Sequence, residues 1–141
     1  MKIVSTIARF LLGVVFVVFG LNGFLNFIPT PPITGIAGQF VGALFLSHYL
    51  VVIMFIQLVG GILLIANRFV PLALTFLGPV IANIFFYHAF MDPGGLPRAI
   101  VVIVLWFLVA YSVRSAFAGI FLQRVDQVAI PKTQFAKATV R

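Results

Sequence analysis

Cysteine is absent from this 141-residue chain, which excludes disulfides, thiol nucleophiles, cysteine-ligated iron–sulfur clusters and covalently attached haem. Carboxylates are almost as scarce, with Asp92 and Asp126 the only two. They fall on opposite sides of the topology derived below, so no carboxylate pair is available for acid–base work. No Walker loop, zinc motif or nucleophile elbow occurs. Charged residues of all kinds amount to 8% of the chain, where a soluble domain carries roughly 25%. A soluble fold of this length would lack the polar residues to cover its surface.

What the chain does have is apolar length. Hydrophobic residues make up 63% of it, phenylalanine occurs 17 times, and the mean hydropathy is +1.26. A bilayer core of about 30 Å needs ~20 mostly apolar helical residues, because backbone groups in lipid must bond within their own segment. Four stretches meet that demand. The first runs from about Ile7 to Phe27 and stops at Pro29, Pro31 and Pro32. It continues past Gly20-Leu21-Asn22-Gly23 with no small-x-small cleavage site, so it reads as a retained helix. The second runs from near His48 to Ala66, the third from Phe69 to Met91, and the fourth from after Pro97 to about Phe121. Gly35 to Ser47 is apolar but surplus to the second span. It reads as a short interfacial or re-entrant helix, the alternative being a long tilted second helix beginning near Gln39.

The expected fold is therefore an all-α integral membrane protein. It is a four-transmembrane-helix bundle with a short interfacial helix between helices 1 and 2. Residues 1–121 form the transmembrane domain and residues 122–141 a basic cytoplasmic tail. Orientation follows from the distribution of cations. Lys2, Arg9, Arg68, Arg114, Arg124, Lys132, Lys137 and Arg141 lie on one side, and only Arg98 on the other. The positive-inside rule places the first group, with both termini, in the cytoplasm. The formal charge of +7 is thus a determinant of topology and no evidence for binding nucleic acid. The expected location is the cytoplasmic (inner) membrane of a prokaryote.

Polar side chains within the spans gather toward the outer half. Gln57 and Pro79 each lie 11 positions from Arg68 on facing helices, Asn83 one turn further out, and Asn22 at similar height. These three amides are expected to turn inward and meet. They serve either as glue between helices or, with His88, as the lining of a ligand pocket. Pro79 frees the Thr75 carbonyl, to which the Gln57 amide can donate. Gly60-Gly61 suits close helix approach. His88 and Asp92 are four apart at the end of the third helix, the spacing of a hydrogen-bonded pair, and an Asp92–Arg98 ion pair is expected to close the loop at Pro93-Gly94-Gly95. A haem held between His48 and His88 is conceivable from residue types alone, but interfacial hydration is the ordinary fate of such histidines.

Three stretches carry a family resemblance. ARFLLGVVFVVFGLNGF (Ala8–Phe24), QLVGGILLIANRFVPLAL (Gln57–Leu74) and PVIANIFFYHAFMDPGGLP (Pro79–Pro97) resemble, in order and spacing, the helices of DoxX-like membrane proteins. The resemblance covers about Ala8 to Phe121 and implies a four-helix membrane bundle. The family includes small subunits like those of a thiosulfate:quinone oxidoreductase and of other membrane oxidoreductase assemblies. Many members carry a glutamate at the position of Gln57. Its replacement by an amide counts against proton or quinone chemistry at this position.

Together these features lead to a non-catalytic accessory or structural subunit of a larger membrane complex. It would have lipid and other membrane subunits as partners and no cofactor of its own. The rival reading is a quinone-linked oxidoreductase subunit, with Asn22, Gln57, Asn83 and His88 around the quinone head group. A small-solute carrier ranks third, because four helices without charged gating residues make a poor pore unless they oligomerise.

Overall fold

A computed structural model describes residues 2–29 and 31–121. The expected tail at 122–141 lies outside the described residues. Every regular element is helical: α1 (Lys2–Leu25), α2 (Gly35–Leu46), α3 (Tyr49–Ile65), α4 (Val70–Phe90) and α5 (Leu96–Ser112), with 3-10 segments at Pro93–Gly95 and Arg114–Phe121. α1, α4 and the continuous stretch Pro93–Ser112 are each long and apolar enough to cross a membrane. α2 and α3 qualify only together and are bent by 86° at their junction. The chain therefore has three to four potential spans. α1 starts at Lys2, earlier than hydropathy placed it. The last α-helix ends at Ser112 instead of Phe121, where the backbone tightens to 3-10 geometry at Arg114.

The breaks between helices have local causes. α1 ends in a left-handed residue, Asn26 (φ 49°), whose N–H donates to the Asn22 carbonyl at 2.8 Å. Asparagine tolerates that conformation because its short amide bonds locally. α3 closes with Asn67 (φ 55°). The Asn67 N–H donates to the Leu64 carbonyl and the Arg68 N–H to the Leu63 carbonyl, at 3.2 and 3.0 Å, the paired bonds of a Schellman ending. The 86° corner between α2 and α3 turns on His48, left-handed at φ 59°. Gly35 to Ser47 is thus a separate helix and not the outer part of a long second span.

α3 and α5 each pack against both α1 and α4, while α2 rests on α3. The tightest seam joins α1 to α3, where backbone meets backbone. A Cβ placed on Gly20 would lie 2.8 Å from the Leu58 nitrogen, and one on Gly61 2.8 Å from the Gly13 carbonyl oxygen. Gly60 faces the other way, against Leu77 of α4. The adjacent glycines therefore serve two different neighbours, which is how lipid-embedded helices approach closely without a hydrophobic force between them. The core is formed by Leu12 and Phe16 of α1, Leu64 of α3, Leu74 and Leu77 of α4 and Val109 of α5. All but Phe16, just past the middle of α1, belong to the helix halves nearer the basic residues. Outward-facing Phe10, Phe55, Phe76 and Phe107 remain exposed, as suits contact with lipid.

Candidate functional site

The best-defined polar cluster lies at the end of α4. The His88 ring nitrogen Nδ1 is 3.1 Å from both the Asp92 carbonyl oxygen and its carboxylate Oδ2. Both neighbours are acceptors, so Nδ1 carries the proton and donates, leaving Nε2 as the open nitrogen. His88 is in the last turn of α4. Gly95 is buried, and its backbone packs flat against the His88 ring so that a methyl there would collide with it. The Gly95 N–H donates to the Asp92 carbonyl at 3.1 Å. The expected His88–Asp92 pair is present. The expected Asp92–Arg98 ion pair is not among the described salt bridges, because Asp92 has turned back onto its own helix.

The three amides do not converge as expected. Gln57 is buried at 6% exposure, facing the interior stripe it shares with Gly60, Gly61 and Leu64. Asn22 is half-buried, and its Oδ1 accepts the Ile28 N–H at 2.7 Å. It is thereby committed to closing α1. Asn83 is exposed, so its inward placement is corrected: α4 turns that position away from the core formed by Val80 and Ile81. His48 is exposed at the α2–α3 corner. The Thr75 carbonyl expected to receive Gln57 is likewise not the backbone group that gains a partner. The neighbouring Leu74 carbonyl does, accepting Trp106 Nε1–H of α5 at 3.1 Å. Gly78 lies beside that indole, where a Cβ would meet the ring at an ordinary contact distance of 3.7 Å.

Arg9 makes the longest reach in sequence. Its Nη1 donates to the Leu64 carbonyl and, at 3.3 Å, to that of Ile65, in the last turn of α3, where the helix's partial negative charge favours a cation. Nothing in the chain's pattern names the end of another helix as the partner of Arg9, nor Leu74 as the partner of Trp106. Among the described residues, two clefts between helices stand out. One, of about 940 Å³, lies between the start of α1 and the end of α5. The other, of about 250 Å³, is an apolar gap between α4 and α5 beside Gly78, Trp106 and Phe107. Neither is lined by Asn22, Gln57, Asn83 or His88. Among the described residues, no three metal-ligating side chains come together.

In comparison with known proteins, the chain matches no family model, no curated sequence and no solved structure.

Proposed function

We propose that the chain is a non-catalytic accessory subunit of a larger membrane complex, related to the DoxX-like proteins it resembles. In this reading α3 crosses the membrane as a fourth span. Its 17 residues give about 26 Å of helix, slightly under a ~30 Å core, and α2 then lies along the outer interface. Both termini face the cytoplasm of a prokaryotic cell, as the positive-inside rule requires. The observation that carries the reading is the fate of the polar side chains. Arg9, Asn22, His88 and Trp106 each bond to the backbone of the protein itself. They hold helix ends and neighbouring helices, while broad apolar faces are left outward for lipid and neighbouring subunits.

A quinone-linked role is the second reading, and Gln57 is the observation in its favour. It is the one buried polar side chain among the described residues, and none of the bonds described above engages its amide. An amide can orient a quinone oxygen but holds no proton to give it, so any proton would have to come from a partner subunit or water. Purification in mild detergent separates the two readings. The accessory role predicts co-purifying membrane proteins, and an isolated chain with neither a redox spectrum nor quinone reductase activity. A reproducible haem or flavin spectrum from the isolated chain, or quinone reduction abolished by His88→Ala, would overturn it.

A further inference from the structure

The start of α1 and the end of α5 lie side by side without closing, and the cleft of about 940 Å³ occupies the space between them. Its volume is at the upper end of the roughly 300–1,000 Å³ typical of small-molecule sites. Lys2 and Arg114 stand at its polar end. Arg114 is held in place there, stacked 4.4 Å over the Tyr111 ring with Nη1 donating to the Tyr111 carbonyl at 3.2 Å. Its remaining N–H groups keep the planar fork that suits phosphate oxygens. Three of the four lining hydroxyls already donate to backbone, Ser5 and Thr6 to the Lys2 carbonyl and Ser112 to that of Val109, which leaves the Tyr111 hydroxyl beside the two cations. Two cations with one hydroxyl favour an anion over a sugar or other neutral group. The only carboxylate among the described residues is Asp92, at the opposite end of α5.

Deeper in, the cleft changes character. Val104, Phe107 and Leu108 line it, all exposed or partly so. Val104 lies eight residues before Ser112, about 12 Å further along the helix. The order is cations at the helix ends, then an apolar wall running toward mid-membrane, as in an amphiphile standing in a leaflet.

We propose that this cleft seats one anionic phospholipid, its phosphate between Lys2 and Arg114 and an acyl chain along the Val104–Leu108 wall. The inference rests on α1 and α5 as membrane-crossing helices and not on the accessory-subunit reading.

Native mass spectrometry of the full chain in a neutral detergent tests it. Palmitoyl-oleoyl phosphatidylglycerol is titrated against phosphatidylcholine with the same chains. The wild-type chain should retain one phosphatidylglycerol in clear preference. A basic residue at a lipid headgroup contributes about fivefold in affinity, so Lys2→Gln with Arg114→Gln should weaken retention about 25-fold. The charge-preserving pair Lys2→Arg with Arg114→Lys should keep the preference, as should Arg98→Gln at the far end. Val104→Trp, which fills the apolar part without altering charge, should lose it. That variant separates a seat in the cleft from general attraction to the basic tail. Equal retention of the two lipids, or a preference unmoved by the double Gln variant or by Val104→Trp, would overturn the proposal. Competition by free glycerol 3-phosphate at millimolar concentration would reassign the site to a soluble anion and overturn the lipid.

Discussion

The two ends of the helix assembly are held by different means. In the basic half, Leu12, Leu64, Leu74, Leu77 and Val109 are fully buried, with Phe16 just beyond them near the middle of α1, and Arg9 of α1 ties the last turn of α3. At the other end, the fully buried large side chains give way to short-range polar closures. Asn22 accepts the Ile28 N–H, His88 donates to Asp92, and His48 turns the corner between α2 and α3. Lipid tails are as apolar as leucine, so helices in a bilayer gain little by hiding apolar faces from it. What holds them is close packing where small residues allow it and satisfied backbone groups where helices end. The basic end combines close packing with the Arg9 tie, while the other end relies more on local polar closures.

The comparison breaks most readily at the α1–α3 seam. Gly61→Leu forces a side chain into the backbone of Gly13 and Val17 and should cost about 3 kcal/mol or more, since overpacking of a tight interface has no relaxed alternative. Gly42→Leu on α2, where a Cβ meets nothing within 4 Å, should be nearly neutral. Thermal unfolding of the two purified variants in detergent reads the contrast. A comparable loss in both would mean that the seam is not what distinguishes the ends.

Arg9→Leu comes next. It removes a charged donor from two α3 carbonyls and should cost about 2 kcal/mol, with Arg9→Lys recovering part of the loss. The same unfolding measurement checks it, and a neutral Arg9→Leu would reduce the contact to an incidental one. The smallest effect is a gain. His48 holds a left-handed conformation that costs a non-glycine residue about 1–2 kcal/mol, so His48→Gly should stabilise by up to about 1 kcal/mol. A loss on that substitution would assign the imidazole a structural contact of its own.

Much of this arrangement was legible in the residues. Four apolar stretches, the prolines after α1 and the Asn67-Arg68 turn located the helices. The i,i+4 spacing of His88 and Asp92 forecast their bond, and Gly60-Gly61 the close approach. The direction a residue faces was harder to read. A helix that is apolar on every side offers no polar face to set its rotation, so nothing near Asn83 in sequence indicated that it points outward. The partners of Arg9 and Trp106 were hidden for a related reason. Each bonds to a backbone carbonyl on another helix, and carbonyls leave no trace in the side-chain pattern. The Asp92–Arg98 expectation failed because it weighed charge alone, whereas the buried Gly95 brings the loop against the His88 ring and Asp92 with it.

The proposed topology requires the two ends to lie on opposite sides of the membrane, with the basic end inside. Cysteine labelling tests this on a chain that has no cysteine of its own. In intact cells, a membrane-impermeant maleimide should modify Thr34→Cys at the start of α2. It should reach Thr139→Cys only after permeabilisation. Labelling of Thr139→Cys in intact cells, with Thr34→Cys protected, would invert the topology and contradict the account.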